Sequence, residues 1–219
     1  MAMRPEVQSL AVVARMGFLG LLTTFIWSNP FISIGAEGTP ATTVKPVTYT
    51  EAHKQVIAQV KSKGGQVLAL AQTDARLDVS FHLSDQPVTD EQLALLPGLP
   101  EVAILNLRGT KITDAGLVHV GTLKNLLKLH LEKTAITDAG LAHLSGLEKL
   151  EYLNLYGTKV TGAGVKGLAK LPKLQRLYLW QTEVSDADLQ ELQVSRPELK
   201  IIKDLKTPPT TPAPEEPKK

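Results

Sequence analysis

An α/β solenoid is the fold this sequence predicts, with short strands and short helices alternating along one chain and stacking coil upon coil. Three observations carry that expectation. Leu105, Leu129, Leu153 and Leu177 stand 24 residues apart, as do Leu107, Leu131, Leu155 and Leu179. The same spacing runs through Thr110, Thr134, Thr158 and Thr182, through Ile112, Ile136, Val160 and Val184, and through Leu117, Leu141, Val165 and Leu189. Within each unit the apolar pattern changes from alternation, the period of a half-buried strand, to a spacing of three, as on a short helix. Units of this length cannot bury an apolar face alone and become stable by stacking.

The unit that starts at Val102 reads V-A-I-L-N-L-R-G-T-K-I-T-D-A-G-L-V-H-V-G-T-L-K-N, and residues 112–117 and 136–141 are both I-T-D-A-G-L. These motifs resemble the leucine-rich repeat family, in particular the subclass in which Ile-Thr-Asp-x-Gly-Leu opens the helical side of each coil. That subclass often carries Cys where this chain has Thr110, Thr134, Thr158 and Thr182, and a hydroxyl there can still bond the backbone as the strand turns. The resemblance implies a leucine-rich-repeat solenoid of about five coils, with a parallel sheet on the concave side and short helices on the convex side. Thr113, Thr137, Thr161 and Ser185 occupy N-cap positions, and Asp114, Asp138 and Asp186 suit the positive helix ends that follow. Counting back by 24 reaches Phe81, Leu83, Val88 and Leu93, a first and weaker copy in which Thr89 and Gln92 make a capping box. In that copy Leu77, Val79, Phe81 and Leu83 alternate with Asp78, Ser80, His82 and Ser84.

Along the chain, residues 1–36 read as a signal peptide or membrane anchor. Arg4 and Arg15 precede an apolar run at 16–27 that Ser28, Asn29 and Pro30 interrupt. Left uncleaved, residues 16–34 are just long enough to span a bilayer and would serve as a tether. In both cases the positive flank stays inside, which places the repeats outside the cytoplasm, secreted or membrane-anchored. Residues 37–49 read as a linker. Residues 50–77 read as an N-terminal helix-strand cap, with Thr50 as N-cap, Ala52, Val56 and Val60 on one face, Gly64-Gly65 as the stop and a strand from Val67 to Ala71. The repeats fill 78–202. Residues 203–219 are Pro-rich, cannot bury a core and read as a disordered tail.

Composition narrows the function. With 219 residues, 43% hydrophobic and 21% charged, the chain supports one domain plus extensions. A net charge of +2 without a basic run argues against nucleic acid, and zero cysteines exclude disulfides and thiolate chemistry. The sequence contains no G-x-S-x-G, H-E-x-x-H or phosphate-cradling loop. His130 with Glu132 is the one acid and imidazole combination expected on the concave face, without a nucleophile beside it. No enzyme, cofactor or metal site is therefore expected.

In the family this chain resembles, the strands line a concave face that usually binds. If Leu105 and Leu107 point inward, the alternate positions point out in three columns. These are Ser80, Ile104, Lys128, Tyr152, Arg176, then His82, Asn106, His130, Asn154, Tyr178, then Ser84, Arg108, Glu132, Tyr156, Trp180. Three of the four tyrosines and one of the two tryptophans fall on two adjacent coils. Tyr152, Tyr156, Tyr178 and Trp180 are thus expected to form one contiguous aromatic surface, bordered by Arg176, Lys128, His130 and Glu132. Aromatic side chains beside arginine are the composition of a binding hot spot. A protein or peptide is the expected ligand and a glycan the second class. The alternative is a structural spacer or envelope component, in which the rings merely stack along the sheet.

Overall fold

The computed structural model describes residues 48–203. The signal or anchor segment, the linker up to residue 47 and the tail beyond 203 lie outside them. Helix α1 (Glu51–Ser62) starts where Thr50 accepts the His53 N–H, and it stops at Gly64, whose φ of +84° is open to glycine. Strands β1 (Gln66–Ala71) and β2 (Asp74–Ser80) follow as an antiparallel pair. From β2 onward every pairing is parallel: β3 (Val102–Asn106), β4 (Lys128–His130), β5 (Tyr152–Asn154), β6 (Arg176–Tyr178) and β7 (Lys200–Ile202) are added in sequence order to one seven-stranded sheet. The helices α2 (Asp90–Leu93), α3 (Asp114–Val120), α4 (Asp138–Ala142), α5 (Gly162–Leu168) and α6 (Asp186–Ser195) lie between successive strands.

One continuous core runs through the stack. Leu105, Leu129, Leu153 and Leu177, and beside them Leu107, Leu131, Leu155 and Leu179, are all 0% exposed. They meet Leu117 and Val120, Leu141 and Leu144, and Val165 and Leu168 from the helical side. Each such burial is worth about 1.5–3 kcal/mol relative to exposure. The threonine column behaves as its chemistry allows. The hydroxyls of Thr110, Thr134, Thr158 and Thr182 donate to the carbonyls of Leu107, Leu131, Leu155 and Leu179 at 2.6–2.7 Å, closing the turn that leaves each strand.

The aspartates do more than complement a helix end. Asp90, Asp114 and Asp138 each accept two hydrogen bonds from the next coil, one from the N–H and one from the hydroxyl of Thr113, Thr137 and Thr161, at 2.8 and 2.6 Å. The glycine of the same motif makes room for them. A Cβ on Gly116, Gly140 or Gly164 would lie 2.2–2.4 Å from the bridging carboxylate oxygen. Where Gly162 stands in place of the aspartate, the arrangement inverts. Asp188 occupies the glycine position of the next coil, its carboxylate packs against Gly162, and Ser185 bonds Asp188 within its own coil.

Two expectations about the first coil are corrected. Val79 pairs with Leu105 and Ser80 with Asn106, a register of 26 and not 24, so Phe81 fills the inward place that Leu107 fills one coil on. The spacing of 24 resumes at Val88, whose carbonyl accepts the Lys111 N–H just as Ile112 accepts from Ala135. Two extra residues therefore lie between Phe81 and Val88. Leu83, expected inside, falls in this longer turn and is 61% exposed. At the far end Arg196 reaches back to the preceding coil, donating to the carbonyls of Ala169, Leu171 and Leu174.

Leu153→Ala should cost about 2–5 kcal/mol on chemical denaturation, as for other buried leucines. Asp138→Ala should cost about 2–3 kcal/mol through two charge-assisted bonds. Gly164→Ala should be destabilising in the parent and at least about 1 kcal/mol less so beside Asp138→Ala, because the clashing oxygens are then gone. Additive losses in that cycle would refute the packing role assigned to Gly164.

Candidate binding face

The backbone ladder continues one step past the strands, with the amides of Leu107, Leu131, Leu155 and Leu179 donating to the carbonyls of His130, Asn154, Tyr178 and Ile202. This holds the outward positions in columns, and the corrected register changes their first members. The columns are Asp78, Ile104, Lys128, Tyr152, Arg176, Lys200, then Ser80, Asn106, His130, Asn154, Tyr178, Ile202, then His82, Arg108, Glu132, Tyr156, Trp180. The assignments expected for Ser80 and His82 each move by one column because of the two added residues, and Ser84 leaves the columns for the turn that follows Phe81.

The four aromatic residues lie on this face, half-buried, but in two packed groups. In the first, the ring centroids of His130 and Tyr152 are 4.8 Å apart and those of Tyr152 and Tyr178 5.2 Å, both tilted. The Arg176 guanidinium lies 5.4 Å from the Tyr152 centroid, so the arginine expected at the border covers a ring. In the second, Tyr156 and Trp180 stack at 4.8 Å with 15° between planes. Their separation is the strand spacing, so the two rings stand up from the sheet and face each other. Lys133 adds its ammonium 5.6 Å from the Tyr156 centroid. Lys128 is half-buried between Ile104 and Tyr152 on the outward face.

Asn154 stands between the groups and ties them to Glu132. Its amide donates to Glu132 Oε1 at 2.6 Å and to the Tyr152 hydroxyl at 3.3 Å, and its carbonyl accepts the Tyr156 N–H at 3.1 Å. Glu132, expected at the rim, is only 7% exposed. Its Oε1 also lies 2.9 Å from His130 Nδ1, while its Oε2 is buried without a hydrogen-bond partner among the described residues, so only half of this carboxylate is compensated. Burial pushes the Tyr152 hydroxyl above the ordinary tyrosine range, opposed by its bond to Asn154.

Two features escaped the sequence. Asp78 lines a depression of about 370 Å³ over the first coils, with Leu68, Ser80, Ile104, Lys128 and His130. Burial raises its carboxyl above the usual range, while His130, His82 and Lys128 pull it back. A register of 26 was the missing signal. Lys133 was the other, and its φ of +54° repeats the left-handed turn made by Gly109 and Gly157 at +69° and +68°. That column, Gly109, Lys133, Gly157 and Gln181, is legible as a turn position once the coils are aligned. Among the described residues no three His, Asp or Glu side chains gather as a metal site, and no helix is long and apolar enough to cross a membrane.

Parallel strands added in order, one short helix per coil and a leucine core shared between coils define a leucine-rich-repeat solenoid. No protein-family model and no curated protein matches the chain. Among solved structures it is similar to internalin C2 from Listeria monocytogenes, with 29% identity over 52% of this chain and 49% of that one, at a TM-score of 0.42. It is similar to the ectodomain of the receptor kinase SOBIR1 from Arabidopsis thaliana, with 16% identity over 72% and 93% of the two chains and a TM-score of 0.46. A PEPR1–AtPEP1 structure matches at 18% identity over 63% of this chain and 19% of that one, with a TM-score of 0.39. The chain thus spans about half the length of the internalin it matches.

Trp180→Ala should cost about 1–3 kcal/mol, the stacked pair together with the indole's partial burial, and leave the stack folded on circular dichroism. Because the folded pKa of Asp78 is raised, its contribution to stability is present at low pH and lost as pH rises through that folded value. Asp78→Asn should therefore flatten the acid limb of a stability-pH profile and raise stability at neutral pH. An unchanged profile would show that Asp78 is as well solvated folded as unfolded.

Proposed function

We propose that this chain is a non-enzymatic binding module that holds an extended protein or peptide segment across the open face of β4, β5 and β6. The observation that carries this reading is the concentration of Tyr152, Tyr156, Tyr178 and Trp180 on outward positions of two adjacent coils, half-buried and ring-packed. Rings already held by neighbours lose little further freedom on binding, which suits them as anchors. Lys128 and Arg176 flank them on one side and Arg108 and Lys133 on the other, so the segment that fits is neutral or acidic at its ends. His130, Glu132 and Asn154 supply fixed polar groups between the anchors.

A peptide suits this layout better than a sugar. A glycan stacks on open ring faces, and here Tyr156 and Trp180 cover one face of each other while Arg176 lies over Tyr152, which leaves less ring face for sugars than the four rings would offer apart. In this reading residues 1–36 deliver the repeats outside the cytoplasm, by cleavage or by a tether at 16–34. The competing reading, a spacer whose rings only stiffen the sheet, takes its support from that same stacking.

The two readings part on one experiment. The full chain and its Tyr156→Ala/Trp180→Ala variant are used to capture partners from native envelope extract. A binding module should lose its partner at least tenfold in the variant, with the stack still folded on circular dichroism. Identical partners on both, or none on either, would favour the spacer.

A further inference from the structure

We infer that two copies of this chain pair edge to edge through β1, antiparallel about a two-fold axis at Ala69, so that their sheets become one. β1 ends the sheet and has β2 as its one strand partner among the described residues. A strand in that place presents a row of unpaired backbone groups, and folded proteins usually blunt such an edge with charge, proline, a bulge or shortness. Of these β1 has only a register shift against β2 between Ala69 and Ala71. Its six residues, Q-V-L-A-L-A, carry neither charge nor proline, and Leu68 and Leu70 are 63% and 39% exposed. The opposite edge is protected: β7 has three residues, with Lys200 in it and Lys203 just after.

The strand is complementary to itself. With Ala69 opposite Ala69 of the second copy, Leu68 faces Leu70 and Leu70 faces Leu68, two apolar cross-strand pairs on the same sheet face. Val67, on the other face, stays in its own core at 8% exposure. The antiparallel order also brings the Lys63 end of one strand to the Asp74 end of the other, with no like charges opposed along β1. Pairing β1 with β7 of another copy would be heterologous and would propagate without closing, and the lysines of β7 oppose it. A single strand pair is a small interface, so the dimer should dissociate in the micromolar range.

The chain's lack of cysteine makes the register testable by single thiols. In full chain kept in mild detergent and exposed to air or a mild oxidant, Ala69→Cys should form a covalent dimer at least tenfold faster than Lys200→Cys. Sedimentation of the cysteine-free chain should show a concentration-dependent monomer-dimer equilibrium. Leu68→Lys should weaken that equilibrium at least tenfold with the stack still folded on circular dichroism, since Leu68 is largely exposed. Tyr156→Ala/Trp180→Ala should leave it intact, which separates this interface from the ligand face. A chain that stays monomeric to about 100 μM, equal cross-linking at both positions, or an unaffected Leu68→Lys equilibrium would overturn the proposal.

Discussion

A coil of this chain can neither bury its own leucines nor satisfy its own polar groups; the coil that follows does both. The leucines close against their counterparts one turn on, and the amide after each strand donates to a carbonyl of the next strand. At the helical edge the same dependence takes the form of one carboxylate. Asp114 sits at the positive start of α3 and also receives the N–H and hydroxyl of Thr137, which caps α4. Two helix starts are thereby fixed to each other, and Gly140 is small because that carboxylate lies where its side chain would be. The exchange at Gly162 and Asp188 shows that the constraint belongs to the space between coils: when the aspartate leaves one side, an aspartate replaces the glycine on the other.

The ends of the stack solve a different problem. At the first coil the chain turns from an antiparallel to a parallel partner, and Phe81 fills the inward place from a strand shifted by two residues. The larger ring occupies volume that a leucine fills elsewhere, and the surplus residues pass into the turn that exposes Leu83. At the last coil Arg196 gathers three carbonyls of the coil below, those of Ala169, Leu171 and Leu174, and so fastens the last turn to its neighbour.

Inward positions were legible because every coil repeats the same demand. Leu105 and its three successors meet the same neighbours, so one pattern is written four times and its meaning is unambiguous. The threonine hydroxyls were legible for the same reason, since their partner lies three residues away within one coil. The aspartate bridges were not. Asp114 and Thr137 are 23 residues apart, one short of the repeat, so alignment of the coils sets each next to the wrong neighbour. The outward columns could be assigned to a side by alternation, which placed Tyr152, Tyr156, Tyr178 and Trp180 correctly on the face. Alternation says nothing of ring tilt, and so one expected surface became two packed groups with Glu132 drawn beneath them. For the first coil, counting back by 24 assumed a unit of standard length, and the assumption failed by two.

The open face and the β1 edge lie on the same sheet, which limits what a paired chain could do. Five strand spacings separate β1 from β6 in each copy, and one more joins the copies, so the two Arg176–Tyr178 segments would lie about 50 Å apart along the sheet. An extended peptide needs about 15 residues to reach that far. A short ligand would therefore occupy each copy independently, without a concentration-dependent gain from pairing. A long or repeated ligand would meet the second copy at high effective concentration and bind more tightly than the monomer allows, provided its spacing matched the span. Edge pairing thus turns a weak strand-strand contact into a selector for ligand length, with the two depressions beside Asp78 and Leu68 brought next to each other midway between the aromatic groups.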